Sequence, residues 1–324
     1  MKAAVVTESG VQVKDVPEPK PGPGEVLVRV RASGLNRADL GVAAGHMHGR
    51  MGGPGTILGL EFAGEVVEVG AEVPDSVKPG DRVMCSGSGG YAEYAVADWG
   101  RVSPVPDSNM SWEQAATLPI ALQTMHDAVV TNGRLTAGES VLIQGASSGV
   151  GLMGMQIAKL MGAKLVLGSS TNAERRARLK EFGCDLAIDT SQPDWPDKVL
   201  EATGGKGVEL IVDQVSASVA NGNLKCCAIL GRIVNVGRLG GARGEFDFDL
   251  HALRRISYIG VTFRTRSVEE VREINRRMRA DLWAALEAGR LHLPIDRTFP
   301  LAEAPEALAH MRANRHFGKI VLLP

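Results

Sequence analysis

The sequence predicts an α/β protein in two parts. One is a β-rich region of short strands, compact enough for a barrel. The other is a doubly wound parallel sheet. Three observations carry this prediction. Residues 1–118 alternate short β-prone runs with proline- and glycine-rich turns. From Glu139 onward, strand and helix patterns alternate at close spacing. One stretch, Val141-Leu-Ile-Gln-Gly-Ala-Ser-Ser-Gly-Val-Gly151, runs from an apolar strand through small residues into a helix.

Taken in order, Lys2–Thr7, Glu25–Ala32, Gly64–Val69 and Tyr91–Ala97 read as strands. They are separated by the turn signals Pro17–Gly24, Met51–Gly55 and Lys78-Pro-Gly-Asp81. At Ser111-Trp-Glu-Gln the texture changes to helix, with an N-cap serine and an early acid. Pro119 is expected to interrupt that helix, and Ala121–Asn132 to form a second one. Further strands are expected at Val141–Gln144, Lys164–Gly168, Leu186–Asp189, Glu209–Val215, Arg232–Val236 and Ser257–Val261. A helix is expected at Ala173–Glu181. Alternation of this kind requires a parallel sheet covered on both faces. The C-terminal part reads as amphipathic helix (Val268–Gly289, then Pro305–Ala313) followed by a strand, Lys319–Leu323. That isolated strand is expected to return to the N-terminal β-region.

The composition narrows the function. The 324 residues suffice for two cores, and 44% hydrophobic with 23% charged residues suits a soluble globular protein. A formal net charge of −1, without long runs of one sign, gives nucleic-acid or membrane-surface binding no support. No apolar run approaches the roughly 18 residues that span a bilayer. Met1-Lys-Ala-Ala-Val-Val lacks a signal-peptide pattern, so a cytoplasmic location is expected. Cys85, Cys184, Cys226 and Cys227 form no C-x-x-C pair and are expected to be reduced thiols.

The central loop points to a dinucleotide. Small residues let a pyrophosphate reach the free N–H groups and positive dipole at a helix N-terminus. Ala146, Ser148 and Gly151 occupy the three glycine positions of G-x-G-x-x-G, so Ala146-Ser147-Ser148-Gly149-Val150-Gly151 is the candidate phosphate loop. Ser148 is placed to bond either phosphate or substrate. About 20 residues further on, NAD-binding folds place an acid on the ribose 2′-OH. Here that place holds Ser169 and Ser170, with Arg175, Arg176 and Arg178 close behind. Hydroxyls and a guanidinium suit a 2′-phosphate, which a carboxylate would repel, so NADPH is the expected cofactor. Arg178 reads as a solvated helix residue.

These motifs sit within a longer pattern: Gly22-Pro-Gly-Glu-Val-Leu-Val28, Ser33-Gly-Leu-Asn-Arg-Ala-Asp39, Gly59-Leu-Glu-Phe-Ala-Gly64, Lys78-Pro-Gly-Asp-Arg-Val83, Gly90-Tyr-Ala-Glu-Tyr94 and Gly318-Lys-Ile-Val-Leu322. In order and spacing the chain resembles the zinc-independent quinone oxidoreductase (zeta-crystallin-like) branch of the medium-chain dehydrogenase/reductase superfamily. The resemblance implies a GroES-like β-barrel catalytic domain (1–118 and 262–324) around an inserted Rossmann NADPH-binding domain (119–261). It implies that Asn36 and Asp39 line the substrate pocket and that Thr124 lies beside the nicotinamide. It also implies Val236 and Gly237 beside the nicotinamide ribose, and Asn314 in a cofactor-contacting tail. The plainer roles of turn former, helix cap or internally bonded residue stand beside these. A homodimer paired through the β-prone Ser257–Phe263 run is implied as well.

Some positions depart from the pattern. Zinc-dependent relatives have Cys at Asn36 and His at Leu60, and a four-cysteine lobe after the position of Val83. No such ligand sets exist here, so no metal is expected. A tyrosine common in relatives is replaced by Met47, between His46 and His48, which read either as substitute donors or as solvated loop histidines. A second tyrosine, on the 2′-phosphate, corresponds to Thr190. Arg264 and Arg266 read as cleft-border or surface charges. The resulting expectation is hydride transfer from NADPH to a small-molecule quinone. Reduction of an activated C=C bond (enone, enal or acrylate-type) is the main alternative. A non-catalytic, crystallin-like NADPH-binding protein is the other.

Overall fold

The computed structural model describes residues 1–49, 51–107 and 109–324, in two units: Met1–Ile120 with Phe263–Pro324, and Ala121–Thr262.

The first unit opens with a hairpin, β1 (Lys2–Thr7) and β2 (Gly10–Asp15). Its main sheet contains β3 (Glu25–Gly34), β4 (Glu61–Val69), β5 (Arg82–Ser86), β6 (Tyr94–Asp98) and β7 (Val102–Pro104). Helices α1 (Arg37–Ala43) and α2 (Trp112–Ala115) flank these strands. Strand β3 is the hub, since it hydrogen-bonds β4 and β6 antiparallel. The side chains explain its place. Val26, Val28 and Val30 point into a core with Phe62, Val66, Val83, Ala95 and Val102, while Arg29 and Arg31 face out. As expected of its N-cap serine, α2 starts at Ser111, whose hydroxyl accepts from Gln114 N at 3.2 Å.

In the second unit and the return to the first, α3 (Pro119–His126) comes first. Then follow β8 (Ser140–Gln144), α4 (Gly149–Leu160), β9 (Leu165–Ser169), α5 (Ala173–Arg178), β10 (Leu186–Ile188), α6 (Trp195–Ala202), β11 (Val208–Asp213), α7 (Ala220–Cys226), β12 (Cys227–Asn235), α8 (Phe248–Arg254) and β13 (Ser257–Gly260). The six strands are all parallel, in the order β10-β9-β8-β11-β12-β13. This is the doubly wound order, whose direction reverses between β8 and β11. Every residue of β8 is buried, as a central strand covered on both faces requires. The helical run from Ser111 ends at Ala115, and Pro119 opens the second one. At the start of α3 a missing N–H costs nothing.

The chain then rejoins the first unit through α9 (Val268–Glu287), β14 (Ile295–Pro300), α10 (Ala304–Arg312) and β15 (Lys319–Leu323). Helix α9 buries Val271, Ile274, Met278 and Leu282. It is tied down by Arg272, which forks onto Asp98 (3.0 and 2.6 Å) and stacks 4.6 Å from the Trp99 ring. Strand β15 lies between β14 and β3, with Val321 opposite Gly34 and Leu322 opposite Ser33. The last strand thus returns to the β-region as its isolated apolar pattern predicts.

Candidate active site

The turn after β8 brings small residues and the N-terminus of α4 together. Gly145 turns the chain at φ +70°, and Ala146 N donates to Ser169 O at 2.8 Å. Ser148 caps α4, its Oγ accepting from Gly151 N at 3.0 Å. Its hydroxyl proton has Gly145 O (3.0 Å) and Gln214 Oε1 (3.1 Å) as alternative acceptors. A Cβ on Gly151 would lie 2.6 Å from Gly145 O and 2.7 Å from Ala146 Cα, so only glycine lets the helix pack this close. The first N–H groups of a helix have no intrahelical acceptor. Ser148 takes that of Gly151, and those of Gly149 and Val150 remain for an anion, which the helix dipole favours.

A buried polar chain holds this turn from below. Gly145 N donates to Ser169 Oγ (3.0 Å), Ser169 Oγ to Gln144 Oε1 (2.5 Å), Gln144 Nε2 to Asn223 Oδ1 (2.7 Å) and Asn223 Nδ2 to Asp213 Oδ2 (2.9 Å). The other Asp213 oxygen accepts from Val215 N and Ser216 N at 2.8 and 2.9 Å. Burial raises the Asp213 carboxyl above its ordinary value against these donors. Ser216, at φ +67°, donates to Gly237 O at 2.5 Å, and Val236 N donates to Asp213 O at 2.8 Å. The loops after β8, β11 and β12 are therefore one bonded structure at the carboxyl ends of the strands. Gln144, Asp213, Gln214 and Asn223 were not expected as site residues. The one available signal was Gln144, a polar residue closing the apolar run Val141–Ile143.

At the end of β9, Ser170 Oγ donates to Ser147 Oγ at 3.1 Å. Arg176 Nη1 donates to Ser170 O at 2.9 Å and pairs with Asp189 Oδ2 at 3.1 Å. The half-buried Arg175 follows the α5 N-cap, its N–H donating to Asn172 Oδ1. Arg178 pairs with Glu181 at 3.3 Å on the surface. Thr124 is half-buried on α3, between buried neighbours.

The first unit gathers Asn36, Asp39, Glu61, Tyr91 and Lys319, all buried. Asn36 Nδ2 donates to Glu61 Oε1 at 2.9 Å, and Lys319 Nζ donates to Asn36 Oδ1 at 3.1 Å. Lys319 also forms an ion pair with Glu61 Oε1, while Glu61 Oε2 accepts from Ile120 N at 2.8 Å. Asn36 N and the Tyr91 hydroxyl both donate to Asp39 Oδ2 at 2.7 Å. Gly34 permits this packing, since a Cβ there would meet Ala116 O at 2.4 Å and Glu61 Oε1 at 2.7 Å. Burial pushes the Asp39 carboxyl up to about 6, and its Oδ1 has no partner among the described residues. Burial, with Asp39 beside it, raises the Tyr91 phenol well above its usual range. Glu61, Tyr91 and Lys319 were not expected here, although all three lie within motifs noted in the sequence.

Around α1, Met47 is exposed, and His48 pairs with Met51 through backbone bonds at 2.7 and 3.1 Å. Burial and Arg264 lower the His48 pKa. Asn314 Oδ1 accepts from Arg37 Nη2 at 2.7 Å. Among the described residues no three His, Cys, Asp or Glu side chains are grouped to hold a metal. At the two positions where zinc-dependent relatives carry Cys and His, Asn36 is bonded by Glu61 and the Lys319 ammonium, and Leu60 is a buried apolar side chain. These residues do not fit zinc.

Comparisons with known proteins agree with this fold. The family described as alcohol dehydrogenase GroES-like domain matches residues 22–107, and that described as zinc-binding dehydrogenase matches residues 149–279. The quinone oxidoreductase of Rattus norvegicus is 32% identical over 316 residues, 95% of this chain and 92% of that protein. A mycobacterial protein solved in complex with NADPH is 28% identical with a TM-score of 0.88, each chain covered in full. A highly reducing polyketide synthase of Cordyceps militaris is 30% identical over 314 residues, 95% of this chain but only 12% of that protein's length. On these matches and this fold, the chain belongs to the medium-chain dehydrogenase/reductase superfamily.

Proposed function

We propose that the chain is an NADPH-dependent, zinc-independent reductase of quinones. The observation that carries the cofactor choice is at the end of β9, where a serine hydroxyl and the Arg176 guanidinium stand in place of a carboxylate. The mycobacterial relative solved with NADPH supports the same choice. In this reading the Gly149 and Val150 N–H groups, framed by Ala146, Ser147, Ser148 and Gly151, take the pyrophosphate. Ser169 holds the loop through Gly145 N, and Ser170, Arg175 and Arg176 take the 2′-phosphate. Val236 and Gly237 flank the nicotinamide ribose, with Thr124 at the nicotinamide. Asn314, oriented by Arg37, is assigned a cofactor contact.

Bound NADPH supplies the hydride. Asn36 is assigned the substrate contact, its amide being oriented by Lys319 at the oxygen and by Glu61, with Gly34 O at 3.5 Å, at the nitrogen. Asp39 holds the Asn36 turn through the backbone N–H and bonds Tyr91 with the same oxygen. A quinone suits so sparse a donor set, because its reduced form is a stabilised aromatic oxyanion and water supplies protons. An enone leaves an enolate that needs an oxyanion donor and protonation at carbon. The polyketide synthase likeness is what favours this second reading, reduction of an activated C=C bond. Steady-state assays with NADPH and either 1,4-benzoquinone or a simple enone separate the two. Turnover of the quinone is expected, and turnover of the enone alone would overturn the quinone reading. Cofactor binding with no turnover of either would point to a binding protein.

We further propose a homodimer joined at β13. This strand is the sheet edge, and Ile229, Leu230, Phe248, Leu253 and Tyr258 are large apolar residues exposed in the same unit. The four cysteines are free and buried, which suits a reducing compartment such as the cytoplasm.

A further inference from the structure

We infer that Asp189 sets the margin by which this protein prefers NADPH over NADH, acting against the phosphate through its ion pair with Arg176. The inference rests on the NADPH reading and concerns how strongly that preference is expressed.

The register places the acid. Ile188 lies opposite Ser169 in the β9–β10 pair, and Ser170 N donates to Ile188 O at 3.0 Å, so Asp189 emerges beside Ser170. Its two oxygens have separate duties. Oδ1 accepts from Ser191 N at 3.0 Å and Ser191 Oγ at 2.6 Å, and Oδ2 faces Arg176 Nη1 at 3.1 Å. The carboxylate is therefore fixed in place. The Ser191 donors, with Arg176 beside them, hold its pKa below the usual carboxylate range, so it is ionised throughout the working pH. Arg176 is fixed as well, since the same Nη1 donates to Ser170 O. Its described bonds use Nη1 alone, which leaves the Nε and Nη2 donors of a five-donor guanidinium for a phosphate.

A phosphate on that remaining fork shares one cation with a fixed carboxylate. The pair's side chains are 23% and 20% exposed, so solvent screens the repulsion only in part. A ribose 2′-OH meets no such repulsion. The residue that orders Arg176 thus disfavours the phosphate-bearing cofactor and spares the other. This arrangement was not visible in the sequence, where Asp189 reads as the last residue of a strand.

Asp189→Asn removes the charge and keeps an oxygen for Ser191. Binding of 2′,5′-ADP and of 5′-AMP, measured by titration calorimetry, isolates the phosphate from hydride transfer. Affinity for 2′,5′-ADP is expected to rise by about three- to tenfold, with 5′-AMP unchanged. The gain is expected to widen from pH 5.5 to 7.5, as the phosphate takes its second charge near pH ~6. NADPH and NADH should repeat the pattern. A fall in 2′,5′-ADP affinity would show that Asp189 helps the phosphate by ordering Arg176, and would overturn the inference. An equal shift for both nucleotides, or no shift, would overturn it too. Arg176→Ala is the control for the underlying reading. If it fails to weaken 2′,5′-ADP more than 5′-AMP, the 2′-phosphate assignment falls and the inference falls with it. If it succeeds while Asp189→Asn does not, only the inference falls.

Discussion

Lys319→Met tests whether one ammonium holds the polar core of the first unit. The side chain is 4% exposed and its partner Glu61 is fully buried, so the substitution leaves a carboxylate with no counter-charge. Removing one member of a buried pair costs about 3–5 kcal/mol. Glu61 keeps the Ile120 N–H at 2.8 Å and the Asn36 amide at 2.9 Å, so the low end, about 3 kcal/mol, is expected. For a unit of this size, that lowers the melting temperature by roughly 6–12 °C. Adding Glu61→Gln removes the stranded charge while keeping an acceptor for Ile120 N. The double variant should therefore recover at least half of the loss, as a coupled pair requires. Differential scanning calorimetry of the parent, both single variants and the double variant gives the cycle. A Lys319→Met variant within 1 °C of the parent would refute the reasoning. So would a double variant no more stable than Lys319→Met.

Further outcomes follow from the same geometry. Asp39 has a folded pKa of about 6 against an ordinary value of 3.8, so the folded state binds the proton more tightly. Its contribution to stability is full below pH ~4 and is lost as pH rises through about 6. Urea unfolding at pH 4.5 and 7 should show Asp39→Asn losing that pH dependence. An unchanged profile would contradict the assignment. Gly151→Ala drives a methyl into the Gly145 and Ala146 backbone, and should cost about 1–3 kcal/mol. It should also weaken NADPH about tenfold in a fluorescence titration. Phe248→Glu with Leu253→Glu should turn a dimer into a monomer by light scattering, at unchanged NADPH affinity.

Much of the fold could be read from local pattern. The apolar run into small residues at Val141–Gly151 named β8, its turn and α4, because a strand, a bare turn and a helix are each specified by neighbouring residues. The strand β15 was legible for the same reason. β2, β5 and β7 were not expected. They are short, and β5 and β7 owe their pairing to partners distant in sequence. The break between α2 and α3 was legible at Pro119, because a residue unsuited to a helix interior is well suited to a helix start.

The site divides along the same line. By itself the sequence determined the fold class, the small-residue turn before α4 and the hydroxyl-and-arginine end of β9. All of these are properties of contiguous residues. Only the tertiary structure decided what those residues bond to. It joined Asn36 to Lys319, 283 positions away, and Lys319 to Glu61, 258 positions away. It threaded Gln144, Asn223 and Asp213 beneath the turn, and set Asp189 against Arg176. The physical reason is that burial makes each such bond strong and each unpaired group costly, while burial is created by strands that meet only when the sheets close.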